Sequence, residues 1–309
     1  DFFSLRLWFA QEDDLSKDLT VVANNILRAE VPWTFRHLLV CSRQVLIPKD
    51  ASRWRPISIG NTFLRFICSS AMRKALPGVS AHFNRYQFGC GSKSGTEQIH
   101  LMCSKILDEN PSYIYISVDA QNAFNSFNRA AIVDPLLRHF PELFWIVWMV
   151  YLSAPSEQLF ERRHGPSGEV ECCSRPSTVG SRQGCPFGSW LYCLAVHQPI
   201  LIDNPHSCAA HDASGQRALC LAFADDTSFL GPPKAVFDAV EWHARNYTSI
   251  LQGTIRPQKS IIFSPHHPVC PNVVDMEINA RPAWRSILRS SEGIRLLGSP
   301  LGTRNHIRD

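Results

Sequence analysis

The chain lacks a hydrophobic run long enough to cross a bilayer. Its most apolar stretch, Leu143 to Leu152, is too short and is interrupted by two Trp. No basic segment followed by an apolar one opens it: the first residues are Asp1-Phe2-Phe3-Ser4-Leu5-Arg6, so no secretion signal is read. An initiator Met is missing too, and the expectation is a fragment of a longer product. There is no internal repeat and no low-complexity tract. Charged residues are few, at 19%, while hydrophobic ones reach 45% of 309 residues. That composition excludes a disordered tail, a collagen-like fibre and a coiled coil, and suits one large domain or two small ones.

Cysteine is plentiful, but its count of 11 is odd and its positions are scattered. A disulfide framework favours an even count in a short secreted chain, so these read as reduced thiols of an intracellular protein. His206, Cys208 and His211 form one zinc-like cluster; His266, His267 and Cys270 form another. Neither has a second Cys pair at finger spacing, and loop histidines near thiols explain both better.

Charge is uneven along the chain. From Arg28 to Lys93, eleven Lys and Arg accompany only Glu30 and Asp50, a window of +9 in a chain of net +4. The remainder is therefore acidic. A basic lobe joined to an acidic one suits a protein that grips phosphates at one end and metal ions at the other.

The periodicity predicts a helix over Asp14 to Ala29, strand-like segments from Leu38 to Pro48 and at Trp54 to Ser58, and a helix capped by Asn61 that Pro77-Gly78 stops. Further helices are expected near Gly95 to Leu107, from Asn128 or Arg129 to His139, over Glu142 to Leu152, Gly184 to Gln198 and Lys234 to Leu251. A hairpin is expected around Gly165-Pro166-Ser167-Gly168, with late strands at Ile261 to Phe263 and Ile294 to Gly298.

Two places stand out chemically. Asp225-Asp226 joins two apolar strands, Leu219 to Phe223 and Thr227 to Leu230. Adjacent carboxylates with apolar flanks repel if buried unpaired, and a divalent cation would remove that repulsion. Asp119 ends the strand Tyr113 to Val118; if the strands are neighbours, Asp119 and Asp225 face each other and suit a pair of metals for phosphoryl transfer.

These residues lie in an order that resembles a reverse transcriptase, most of all those of non-LTR retrotransposons. Ser117-Val118-Asp119-Ala120-Gln121-Asn122-Ala123-Phe124-Asn125-Ser126 resembles the first catalytic motif, and Gly180-Ser181-Arg182-Gln183-Gly184-Cys185-Pro186-Phe187-Gly188-Ser189 the nucleotide-facing one. Phe223-Ala224-Asp225-Asp226 resembles the double-Asp motif, Arg256-Pro257-Gln258-Lys259-Ser260 the lysine-bearing one, and Leu297 to Gly302 the primer-grip strand. Ile47-Pro48-Lys49 and Trp54-Arg55-Pro56-Ile57-Ser58 resemble the fingers segment; the whole covers roughly residues 36 to 303.

The resemblance implies an α+β right-hand polymerase fold: a fingers-like basic lobe over residues 1–112 and a palm with an antiparallel catalytic sheet over 113–309, the thumb largely absent. It implies RNA-directed DNA synthesis from a primer 3′-hydroxyl and dNTPs. Asp119 and Asp225 would bind two Mg²⁺, or Mn²⁺ as substitute, with Asp226 more peripheral. Phe124 would exclude a 2′-hydroxyl, Gln183 and Gly184 would line the nucleotide pocket, Lys49 and Arg55 would clamp the triphosphate, and Lys259 would protonate pyrophosphate. The implied partners are an RNA template with a DNA primer, with no membrane, and the missing thumb or endonuclease regions of a longer polyprotein; the implied site of action is nuclear. Phe223 departs from the usual Tyr, and Asn125 from a common Asp. An inactive polymerase-like RNA-binding module and an RNA-dependent RNA polymerase are the alternatives.

Overall fold

The computed structural model describes residues 13–49, 54–83, 85–164, 169–209, 217–264 and 271–302. His211, His266, His267 and Cys270, and the turn at 165–168, lie outside the described residues. The described strands are β1 (Ser42–Pro48), β2 (Trp54–Gly60), β3 (Ile114–Val118), β4 (Ser156–His164), β5 (Glu169–Ser177), β6 (Ser207–Cys208), β7 (Ala218–Phe223), β8 (Asp226–Gly231), β9 (Ile261–Phe263), β10 (Leu288–Ser290), β11 (Gly293–Leu296) and β12 (Ser299–Gly302). No helix among the described residues is long and apolar enough to cross a membrane. The chain divides into two compact units interleaved in sequence. Of the described residues, one holds those up to Lys74, Leu136–Thr178 and Arg182–Phe187; the other holds those of Ala75–Pro135, Val179–Ser181 and from Gly188 on.

The first unit is built on a sheet of order β2-β1-β4-β5. β1 pairs antiparallel with β2 from Ser42↔Gly60 to Pro48↔Trp54, and β4 pairs antiparallel with β5 on either side of the expected turn. Leu38 to Val40, read as strand, instead closes a helix, Trp33–Val40. Its buried residues, Arg36, Leu39 and Val40, have the i, i+3, i+4 spacing of one helical face, which outweighs the β-propensity of three apolar residues. The Arg36 guanidinium donates to the carbonyls of Met149 (2.8 Å) and Ala154 (3.0 Å) and bonds Ser153. Arg182 likewise donates to the Val40 carbonyl at 2.6 Å and lies over the Tyr151 ring. Two charges from the basic and nucleotide-facing segments are thus buried, their Nη groups bonded to backbone oxygens.

The apolar stretch from Pro141 to Leu152 is helical as expected but changes pitch, from a 3₁₀ turn through Phe144–Val147 to a π-helical end at Trp148–Leu152. Asn61 caps the next helix as expected, its side chain accepting from the amides of Phe63 (3.0 Å) and Leu64 (3.1 Å). The helix does not stop at Pro77, however; it spans Thr62–Phe83 with Pro77 inside. Pro77 leaves the Arg73 carbonyl without its amide donor. Buried Val79 and Phe83 carry the helix past that loss.

The second unit is built on a sheet of order β10-β9-β3-β8-β7-β6. Its centre is antiparallel, β9-β3-β8-β7, as the fold expectation requires, while the pairs β10-β9 and β6-β7 at the edges are parallel. Helices Gly95–Glu109 and Pro233–Leu251 pack against it. Tyr115, Leu219, Leu221 and Leu230 join Ile99, Cys103 and Leu107 of the former helix in one buried cluster, which also takes in Ile294, Leu296 and Leu301 of the β11-β12 hairpin. That hairpin turns at Leu297 and Gly298, both with positive φ, where one continuous strand to Gly298 was expected. The helix expected from Gly184 begins at Gly188 and becomes π-helical at His197–Ile202. Gly184, at φ +101°, lies in the connection before it. The expected helix from Asn128 opens with a 3₁₀ turn, Arg129–Ile132, on an Asn128 cap and continues as Val133–His139.

Candidate nucleotidyl-transfer site

In the second unit, β3 and β8 are direct neighbours, with Val118 opposite Thr227. Asp119 follows the end of β3, and Asp225 stands in the two-residue turn between β7 and β8, closed by the pair Phe223↔Asp226. The register therefore brings all three predicted acids to one end of the sheet. Buried apolar strands hold this end rigid: all of β8 beyond Asp226 is buried.

The three acids have different surroundings. Asp225 is half-buried, and Asp226 is exposed. Burial pushes the Tyr192 hydroxyl well up, helped by Tyr247 and by the Asp225 charge. Burial and the Asp225 charge also push Tyr247 up to about 12, against a hydrogen bond from Tyr192. Burial raises Tyr115 as well, with a small contribution from Asp226. The two adjacent carboxylates thus act on different neighbours.

Asp119 is tied down by the motif that leads into β9. Its Oδ2 accepts from Arg256 Nε at 2.7 Å and Nη2 at 2.6 Å, while its amide donates to Ser260 Oγ at 3.1 Å. The Arg256 amide in turn donates to the Asp119 carbonyl at 2.9 Å, and Ala120 bridges to Ile255. Lys259 is exposed on the adjoining 3₁₀ turn, Pro257–Lys259. Sequence reading gave neither Arg256 nor Ser260 a role; the ion pair needs the β3-β9 ladder to form, and no local pattern announces it.

Phe124 sits on a short helix, Ala123–Ser126, entered through Asn122 at φ +49°. Its ring meets Tyr192 edge-on, with centroids 5.1 Å apart. Its carbonyl accepts from the Ser181 amide at 2.6 Å, so the first motif is bonded to the start of the nucleotide-facing one. Gly180 must be glycine there: at φ +60°, an added Cβ would lie 2.3 Å from the Asn125 backbone.

The other predicted residues belong to the first unit. Lys49 and Arg55 are exposed at the end of the β1-β2 pair where the chain passes from one strand to the next, Arg55 opposite Ile47. The Gln183 carbonyl accepts from the Ser58 amide at 2.7 Å, anchoring this segment to β2. Gln183 Oε1 is buried without a hydrogen-bond partner. At Gly184 a Cβ would lie 2.6 Å from the Ser58 carbonyl, so the close approach its glycine permits is to β2.

The donor set at the sheet end, carboxylate oxygens, is of the hard kind that suits Mg²⁺ or Mn²⁺. Among the described residues no three His, Cys, Asp or Glu side chains gather as a closed metal cage.

Three solved structures share this fold. Apo telomerase from Candida tropicalis matches with a TM-score of 0.54 at 11% identity, over 86% of this chain and 47% of that one. The same enzyme truncated of its C-terminal domain matches at 0.52 and 12%, over 72% and 50%. Its complex with a fragment of telomeric RNA matches at 0.51 and 12%, over 72% and 41%. The chain thus spans at most about half the length of these proteins. No curated protein matches it. The profile of the reverse transcriptase (RNA-dependent DNA polymerase) family matches residues 47–301, with the three acids, Phe124 and the lysine-bearing motif all inside that span, and the chain belongs to this family.

Proposed function

We propose that the chain is the RNA-directed DNA polymerase of a retroelement of the non-LTR type, extending a primer 3′-hydroxyl with dNTPs on an RNA template. The observation that carries this reading is the convergence of Asp119 and Asp225 on one end of a buried antiparallel sheet. In it, Asp119 and Asp225 hold two divalent cations and Asp226 contributes from the periphery. Bound there, the cations would lower the pKa of the attacking hydroxyl and neutralise the leaving pyrophosphate.

The chain's own residues do the rest. Phe124, braced by Tyr192, presents a ring against a 2′-hydroxyl and so selects deoxynucleotides. Gln183, with its buried acceptor, and Gly184 line the nucleotide pocket. Lys49 and Arg55, both exposed, clamp the triphosphate. Lys259 delivers a proton to pyrophosphate as it leaves. The fingers role belongs to residues 1–112 and the palm role to 113–309, and a nuclear site of action goes with a target-primed element.

One observation favours a second reading. Arg256 engages Asp119 Oδ2 through two donors. An acid committed to an arginine is what a polymerase-like RNA-binding module without chemistry would keep.

The deciding experiment is primer extension on an RNA template with dNTPs and Mg²⁺, beside Asp225→Asn. The expected result is extension by the wild type and a loss on the order of 10³-fold in the variant. Duplex binding should stay unchanged. Equal extension by both would overturn the metal assignment; duplex binding with no extension by the wild type would favour the binding module.

A further inference from the structure

The turn that carries Asp225 is strained, and a residue far away in sequence holds it. Ala224 has φ +54°, a left-handed conformation that is unfavourable for a residue with a Cβ. Such a conformation persists where its surroundings over-determine it. Here both backbone groups of Ala224 are bonded to one side chain. Gln87 Oε1 accepts from the Ala224 amide at 2.7 Å, and Gln87 Nε2 donates to the Ala224 carbonyl at 3.1 Å. The same Oε1 accepts from the Gly89 amide at 3.0 Å, which fixes the side chain in place.

Around this clamp the segment Tyr86–Phe88 runs along the end of β7. The Ala222 amide donates to the Tyr86 carbonyl at 2.8 Å, the Phe88 amide donates to the Ala222 carbonyl at 2.7 Å, and Gln87 bridges Ala222. Gln87 is 1% exposed. A Cβ on Gly89 would lie 2.3 Å from the Ala224 nitrogen, so the backbone here is as close to the turn as glycine permits. A buried glutamine that uses its acceptor and a donor on one strained residue is placed to set where the flanking acid points.

We infer that Gln87 is a positioning residue for the polymerase site, its side-chain amide fixing the left-handed turn from which Asp225 projects. The inference rests on the polymerase reading for its effect on catalysis, but the clamp itself can be measured without catalysis.

The test uses Gln87→Met, which keeps side-chain length and removes all three hydrogen bonds. In the metal-free protein, hydrogen exchange of the Ala224 amide, read by NMR, should quicken about tenfold. The amides of Ile116 and Leu230, deeper in the sheet, should exchange as in wild type. In primer extension, kcat should fall roughly 10²-fold while KM for dNTP stays within about twofold, because the acids are misdirected and the pocket is untouched. Unchanged Ala224 exchange would overturn the clamp; quickened exchange with unchanged kcat would overturn its catalytic role.

If Gln87→Met fails to fold, Gln87→Glu decides. It keeps the acceptor for both amides and, when ionised, sets a carboxylate against the Ala224 carbonyl. A reduced kcat at unchanged KM supports the inference, and a wild-type kcat overturns it. A wild type that fails to extend primers, with Ala224 exchange still dependent on Gln87, would sink the polymerase reading and the catalytic role while leaving the clamp standing.

Discussion

The two main sheets of this chain are buried to different depths. In the sheet of the first unit, β1 and β2 keep one fully buried residue each, and Leu46 and Ile47 are 58% and 49% exposed. In the sheet of the second unit, β3, β7 and β8 are buried almost throughout. The exposed sheet carries Arg55 and leads into Lys49, both proposed to meet phosphates, and the buried one presents the acids proposed to hold metal. Cations on long side chains adapt their reach to a ligand, so their backbone can be loosely held. Carboxylates that must share a cation need a fixed backbone, and a sheet packed against helices supplies it.

The comparison can be broken by unequal damage. Phe229, fully buried on β8, should cost about 3–5 kcal/mol as Phe229→Ala, measured by denaturant unfolding. A value near zero would mean that the acids' sheet is not the rigid one.

A smaller effect should appear with pH. His243 is buried between Phe229 and Tyr247, and burial lowers its pKa from 6.5 to about 4. The unfolded chain therefore binds this proton more readily than the folded one. The stability that goes with neutral His243 is fully present above about pH 6.5. It is lost progressively as pH falls toward about 4, by about 3 kcal/mol in all. His243→Phe should remove that part of the slope, and an identical slope in the variant would refute the assignment.

The smallest effect belongs to the other sheet. Leu46→Ser should change stability by less than about 0.5 kcal/mol, since Leu46 already stands in water. A cost above about 2 kcal/mol would erase the contrast.

The acids were legible because a strand that ends on Asp119, and a pair of strands joined at Asp225-Asp226, combine a continuous apolar run with charges that have no place in it. The hairpin β4-β5 and the Asn61 cap were legible for similar local reasons. Gln87 and Arg256 were not, because each acts on a residue 137 positions away and no local pattern points to that partner. Arg36 counted toward the basic window that suits a grip on phosphates, yet it is 4% exposed and bonded to carbonyls more than a hundred residues distant. Pro77 read as a stop because its local rule is sound; tertiary burial on its far side overrode it.

The cysteines give the molecule an internal clock. Cys172 lies exposed on β5, whereas Cys103 and Cys220 are buried in the second unit, and burial pushes the Cys103 thiol up to about 12. Only a thiolate alkylates at a useful rate. A reagent added at neutral pH would therefore mark Cys172 at once and reach the other two only when the sheet opens, so the delay between the labels times the breathing of the acids' own support.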